Sequence, residues 1–213
     1  DLSLDYKWEE LNFSRTALLN YIIANHSKGF NLKYLEIGCA SNLNFNSIMV
    51  SNKTGVDPDQ GGNVRLTSDE FFSSQNNNFD VIFIDGLHTY GQVKKDFVNA
   101  LKALNAGGII ILDDMIPRNW KEHQTPRVQT RWNGDVWKLL FDLKKLDCIE
   151  FKVILIDSGQ CVVFPTGDVA LEEEFFSKDL DNEQFNYFHK NINHIPKLEL
   201  NEGLEWIEEI LKR

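Results

Sequence analysis

The sequence predicts an α/β protein built on a doubly wound, mostly parallel sheet, followed by an antiparallel hairpin and a helical tail. Three observations carry this expectation. Residues 79–84, Phe-Asp-Val-Ile-Phe-Ile, form a near-continuous apolar run, the pattern of a strand buried on both faces. Residues 90–104 follow with Val93, Phe97, Ala100, Leu101 and Leu104 at helical spacing. Ala106-Gly107-Gly108 then reads as a turn into a second apolar strand at 109–112. A β-α-β unit of this kind implies parallel strands joined by a right-handed crossover. Repeated units imply a doubly wound sheet, with ligands bound outside the carboxyl ends of its strands.

The remaining elements fit around that unit. Residues 13–24 read as a helix with an apolar stripe of Leu18, Leu19, Ile22 and Ile23. Residues 33–38 read as a short buried strand, 44–50 as a short helix, and 54–57 as a strand ending in Asp57. Residues 68–74 begin another short helix. Residues 115–133 lack periodicity and contain Trp120, His123, Arg127, Arg131 and Trp132; long loops of this sort are often lids or binding loops. Within this segment Trp and Arg are candidates to shape a substrate pocket, and His123 reads as a surface residue. Residues 135–146 read as a helix. Residues 151–156 and 160–164 read as an antiparallel hairpin around the turn Asp157-Ser158-Gly159. From Asp168 onward the chain reads as helical and acidic. The aromatic run Phe175, Phe176, Phe185, Tyr187 and Phe188 reads as core or dimer contact, and the last helix is amphipathic, with Leu204, Ile207, Ile210 and Leu211. The expected organisation is one domain over 1–167 with a helical extension over 168–213 packed on it.

Composition narrows the function classes. At 213 residues, with 42% hydrophobic and 25% charged residues, the chain suits one ordinary globular domain with a small appendage. A formal net charge of -10 repels phosphate backbones, so a small-molecule substrate is expected and nucleic acid is not. Three cysteines, Cys39, Cys148 and Cys161, show no paired spacing; a reducing, cytoplasmic setting follows. No apolar run approaches the roughly 20 residues of a membrane span, and residues 1–10 lack the apolar core of a signal peptide. A homo-oligomer is compatible with this composition.

The candidate ligand site begins at Tyr34-Leu-Glu-Ile-Gly-Cys-Ala-Ser-Asn42. A buried strand runs into Gly38, where a missing Cβ lets the backbone approach a ligand. Glu36 lies near the carboxyl end of that strand, where a carboxylate can hold a cationic amino group. Asp57 lies at the next strand end, about 20 residues after the glycine turn, where an acid can accept both hydroxyl hydrogens of a ribose. These features point to an adenosine-containing ligand. The turn lacks G-x-G-x-x-G, which disfavours a pyrophosphate cofactor and with it a nicotinamide.

The segment Leu35-Glu-Ile-Gly-Cys39 resembles the first motif of Rossmann-like methyltransferases, and Gly55-Val-Asp-Pro58 resembles their acidic second strand end. Residues 79–90, ending Ile-Asp85-Gly-Leu-His88-Thr-Tyr90, resemble the central strand motif of the small-molecule O-methyltransferase subgroup that includes the macrocin and mycinamicin sugar methyltransferases. The resemblance spans roughly residues 33–164, and 132–138 (Trp-Asn-Gly-Asp-Val-Trp-Lys) is similar to a recurring segment of that subgroup. It implies a seven-stranded sheet and S-adenosylmethionine as cofactor. It also implies that Glu36 and Gly38 face the methionine part, that Asp57 binds the ribose, that Ser68 and Asp69 lie beside the adenine, and that Cys39 and Asp85 are further cofactor-binding residues. Asn42 departs from the pattern, standing where many relatives have a third glycine.

The expected strand order sets Asp85 and His88 beside Asp113 and Asp114. Clustered carboxylates repel unless a cation joins them, and a hard divalent ion such as Mg²⁺ takes oxygen ligands. Asp85, Asp113 and Asp114 are thus the candidate metal ligands. Asp85 and His88 are the candidate catalytic pair, with His88 as the base that removes a proton from an acceptor hydroxyl; in the subgroup an Asp and a His three residues later play these roles. The same residues also allow a metal-free site, with Asp85 capping the next helix and Asp114 orienting a backbone amide. The expected activity is O-methylation of a small hydroxylated metabolite or sugar. Aminopropyl transfer, oxidoreduction on the same scaffold, or a non-catalytic cofactor-binding module are the alternatives.

Overall fold

The computed structural model describes residues 2–167, 176 and 178–213. Among these, seven strands make one sheet: β1 (Tyr34–Ile37), β2 (Lys53–Val56), β3 (Phe79–Ile84), β4 (Leu104–Leu112), β5 (Ile149–Ile154), β6 (Gln160–Pro165) and β7 (Lys197–Leu198). They lie in the order β2-β1-β3-β4-β6-β5-β7. The helices are α1 (Arg15–Asn25), α2 (Leu43–Ser47), α3 (Ser68–Ser74), α4 (Tyr90–Lys102), α5 (Trp120–His123), α6 (Lys138–Leu143), α7 (Phe185–Asn191) and α8 (Leu200–Leu211).

Every position of β3 is buried, and its side chains alternate between two cores because successive Cβ atoms point to opposite faces. Val81 and Phe83 pack with Leu18, Leu19, Ile22 and Ile23 of α1 and with Trp206 and Ile207 of α8. Ile82 and Ile84 pack on the other side with Phe97 of α4, Trp137, Leu140 of α6 and Phe188 of α7. The apolar run of the sequence is therefore the sandwiched centre of the molecule. Its single charge, Asp80, is neutralised at the strand's amino end by Lys28 Nζ at 2.6 Å, the Lys33 N–H at 2.8 Å and Asn105 Nδ2 at 2.7 Å.

β2, β1, β3 and β4 run parallel to one another. β6 inserts between β4 and β5 and runs against both, and β7 pairs parallel with β5. The chain leaves β1 for β2 on one side and reaches β3 on the other. This reversal opens a crevice at the carboxyl ends of β1 and β3.

Three expectations are corrected. Ala106-Gly107-Gly108 is not a turn between elements: it lies within β4, whose pairing jumps from Phe79↔Leu104 to Val81↔Ile109, with Gly107 at φ 73°. The loop at 115–133 contains the one-turn helix α5. His123 is buried there, not exposed, accepting a hydrogen bond from Trp137 Nε1 at 3.0 Å on Nδ1 and lying 3.2 Å from Gln184 Oε1 through Nε2. In the tail, Phe176, Phe185 and Phe188 are core; Phe175 and the first part of the expected helical segment, 168–174, lie outside the described residues.

Candidate active site

The crevice is a cavity of about 800 Å³. Among the residues that line it are Glu36, Gly38, Cys39, Asp57, Ser68, Asp69, Asp85, His88 and Asp114. Gly38 has φ 86°, and a Cβ there would collide with the backbone carbonyl of Asp85. Glycine is thus required by the close approach of the β1 and β3 ends as well as by the left-handed backbone. Asn42 has φ 65°. Asparagine is among the residues best tolerated in that region, so it takes the place of a glycine at small cost. Its Oδ1 also accepts the Gly62 N–H at 2.6 Å, tying this loop to the one after β2.

Glu36 is buried at the end of β1. Its Oε2 accepts from the Tyr34 hydroxyl at 2.7 Å and from Asn44 Nδ2 at 2.9 Å. Burial outweighs these bonds and raises its pKa to about 7. Asp57 has a different environment. Its Oδ2 accepts the Cys39 and Ala40 N–H groups at 3.0 and 2.8 Å, and its Oδ1 accepts those of Asp59 and Gln60, both at 2.9 Å. Burial works to raise its pKa, but the four amides prevail and hold it below the usual carboxylate range. Asp57 thus organises both loops around the crevice, with little bonding capacity left over; Asp59, two residues on, also lines the cavity. Cys39 lines the cavity, and its buried thiol is raised well above its ordinary pKa by burial. Thr67 caps α3 in a capping box with Glu70, and Ser68 and Asp69 at the start of that helix line the same cavity. Gln92 Nε2 reaches across from α4 to both, at 3.1 and 2.9 Å.

The same cavity is lined by Asp85, His88 and Asp114, which offer ligand atoms within 4.8 Å of one another. His88 Nδ1 lies 2.8 Å from the Trp132 carbonyl, and Nε2 lies 3.2 Å from Asp85 Oδ1. A carbonyl only accepts, so Nδ1 carries hydrogen and Nε2 is the nitrogen that exchanges a proton. Burial disfavours the imidazolium, but the Asp85 hydrogen bond, the charges of Asp114 and Asp85 and the Trp132 carbonyl outweigh it and raise the His88 pKa. Trp132 stacks on His88 with ring centroids 4.9 Å apart. Asp114 has φ 60°, and Asn133 Nδ2 holds both its carbonyl, at 3.0 Å, and its Oδ1, at 3.1 Å. Burial pushes the Asp114 carboxyl up to about 7.

Asp113, expected among the metal ligands, is not part of this group. Its side chain is 1% exposed; it is paired with Arg15 and accepts Gln160 Nε2 at 2.5 Å and the Asp114 N–H at 2.7 Å. Successive residues at the end of β4 point apart, so one Asp faces the crevice and the other faces α1 and β6. His88 takes the third place in the cluster. Asp85 does not cap α4; Thr89 does, with its Oγ1 3.4 Å from the Gln92 N–H. Asp135 Oδ1 takes the Tyr90 N–H at 2.6 Å and so braces α4, while its Oδ2 takes Lys138 Nζ at 3.0 Å.

Arg15, Asn44, Gln92, Asp157 and Asn133 were not singled out as site residues in the sequence, where Asp157 reads only as a turn residue and Asn133 only as part of the 132–138 segment. A lone Arg at a helix start, or an Asn in a loop, has no local pattern that separates a site residue from a solvated one.

Known proteins give a consistent picture. A family profile described as a methyltransferase domain matches residues 42–115. An uncharacterized protein of Acanthamoeba polyphaga mimivirus is 29% identical over 217 residues, covering 81% of this chain and 92% of that protein. Among solved structures, a protein from Corynebacterium glutamicum superposes with TM-score 0.54 at 14% identity, covering 73% of this chain and 82% of that one. The SAH-bound methyltransferase PaMTH1 of Podospora anserina gives 0.50 at 17% identity, covering 71% and 77%. The O-methyltransferase TomG of Streptomyces achromogenes, involved in tomaymycin synthesis and solved with SAM, gives 0.50 at 14%, covering 70% and 78%. At such identities these neighbours speak for the fold alone. Sheet order, crevice and matched segment together give this chain the Rossmann-like methyltransferase fold, with a methyltransferase domain signature over residues 42–115.

Proposed function

We propose that the protein is an S-adenosylmethionine-dependent O-methyltransferase acting on a small hydroxylated acceptor. The observation that carries this reading is that one cavity is lined both by the strand-end residues Glu36, Gly38 and Asp57 and by the compact Asp85-His88-Asp114 group. Glu36 sits where it can take the cofactor's ammonium group, and Ser68 and Asp69 lie where the adenine would rest. Asp57 and Asp59 border the ribose position between them. Asp85, His88 and Asp114 form a second group in the cavity, where the methyl group would meet the acceptor.

Methyl transfer from a sulfonium is an in-line displacement: the acceptor oxygen forms a bond to the methyl carbon as the carbon–sulfur bond breaks. The cofactor is already activated, so the protein's task is positioning and removal of the hydroxyl proton. His88 Nε2 is the atom that receives it, with Asp85 stabilising the imidazolium and Trp132 fixing the ring. Asp85, His88 and Asp114 also suit a divalent cation, with two carboxylates and an imidazole whose far nitrogen is anchored to a carbonyl. When bound, such an ion would lower the pKa of the acceptor hydroxyl, and His88 Nε2 would then be its ligand in place of acting as the base.

Titration calorimetry with S-adenosylmethionine tests the reading. Saturable binding at micromolar concentrations is expected; no heat at high micromolar cofactor would exclude it.

A further inference from the structure

Four carboxylates crowd the acceptor end: Asp85, Asp113, Asp114 and Asp157. Like charges this close destabilise one another unless a cation is supplied, and the protein supplies one from α1. Arg15, the first residue of that helix, lines the cavity with its side chain 33% exposed. Its Nη1 lies 3.0 Å from Asp85 Oδ2 and is also paired with buried Asp113. Its Nε lies 3.5 Å from Asp157 Oδ2, the same oxygen that accepts the Arg15 backbone N–H at 3.2 Å. One guanidinium thus joins the ends of β3 and β4 and the β5–β6 turn to the start of α1. Its planar fork suits this better than a lysine point charge, because several donors leave in fixed directions.

The Arg15 contact fixes which oxygen of Asp85 faces the site. Oδ2 is held by the guanidinium, and Oδ1 is turned to His88. Asp113 and Asp157 are both engaged by the same cation and stand outside the Asp85-His88-Asp114 group.

We propose that Arg15 is the resident cation of this site, a positioning residue that neutralises Asp113 and Asp157, orients Asp85 towards His88, and thereby limits the cluster to weak binding of one divalent ion. The inference rests on the proposed role of Asp85, His88 and Asp114 as the acceptor end.

Mn²⁺ serves as the probe, followed by electron paramagnetic resonance on the full chain. Arg15→Met and Arg15→Gln should bind Mn²⁺ about tenfold more tightly than the wild type, the scale of one unit charge acting on a dication in high dielectric. Arg15→Lys should stay within about threefold of wild type, since it keeps the charge. Unchanged or weaker binding in the uncharged variants overturns the proposal, as does a gain that survives an added Asp114→Ala. Should the uncharged variants fail to fold by circular dichroism, Arg15→Met combined with Asp113→Asn must recover the fold, because it removes a carboxylate left without its partner; continued unfolding is equally fatal. Titration of the same proteins with S-adenosylmethionine keeps the two readings apart. A wild type that ignores the cofactor refutes the proposed function, while the Mn²⁺ comparison still decides the role of Arg15.

Discussion

Glu36 and Asp57 stand at neighbouring strand ends and do opposite things. Asp57 is ionised by four backbone amides and spends its charge on the protein itself. Glu36 is buried with two neutral donors and is held near pH 7, poised between its two states. A cofactor ammonium group would favour the carboxylate, so affinity for S-adenosylmethionine should rise with pH through about 7. Calorimetry between roughly pH 6 and pH 8 should give about a tenfold gain, and Glu36→Gln should flatten the profile; a flat wild-type profile would remove Glu36 from the cofactor contact. In the empty protein the sign runs the other way. The folded state keeps this proton up to about 7 while the unfolded chain releases it near 4.5, so ionising Glu36 works against the fold as pH rises through that window. Asp57→Ala tests the other role. Orphaning loop amides should lower unfolding free energy in urea by roughly 2–3 kcal/mol and weaken the cofactor with it. A variant of wild-type stability would mean that the amides find other acceptors.

At the scale of elements, a short connection shapes the Asp85-His88-Asp114 group. Within Trp132-Asn133-Gly134-Asp135, the first residue holds His88 through its carbonyl and ring, and the second holds Asp114. The third lies so close to the His88 carbonyl that a Cβ would collide with it, and the fourth braces the start of α4. Asp114 is kept in a left-handed conformation that costs of order 1 kcal/mol or more for a non-glycine residue, and such strain persists only where neighbours over-determine it. Asn133→Ala should therefore release Asp114. Methyl transfer to the acceptor should fall at least about tenfold while affinity for S-adenosylmethionine stays near wild type. Parallel losses in both would indicate a general collapse of the cavity and not a displaced carboxylate.

At the scale of the molecule, the site is assembled from parts far apart in the chain. α1 brings Arg15, the β1 and β2 ends bring Glu36 and Asp57, β3 and β4 bring Asp85 and Asp114, and the β5–β6 turn brings Asp157. A ligand that bridges these ends holds the sheet together, so S-adenosylmethionine should stabilise the whole fold. At about 100 times its dissociation constant the gain is about 2.7 kcal/mol, which for a chain of this length is a rise in Tm of roughly 5–10 °C. Scanning fluorimetry reads it directly; an unmoved Tm at saturation would mean that the cofactor engages no more than one edge of the crevice.

The sequence by itself determined the layered α/β fold, the central β3–α4–β4 unit and the crevice-forming order of Gly38, Asp57 and Asp85. Strands buried on both faces must be apolar throughout, and a backbone crossing this close must use glycine, so both constraints are written in consecutive residues. It also marked the hairpin, whose turn at 157–159 runs entirely through positive φ. The burial of His123, the insertion of β6 beside β4 and the bulge inside β4 were not legible, because each depends on a partner distant in sequence. The same limit governed the acidic cluster. Asp113 and Asp114 are equivalent as neighbours in a chain, and only the packing of α1 and β6 against one side of β4 sends the first to Arg15 and Gln160 and the second to His88. The cation that the carboxylates required was legible as a requirement. Which cation the protein itself supplies there was decided by tertiary structure alone, since charge balance is a property of groups that meet in space.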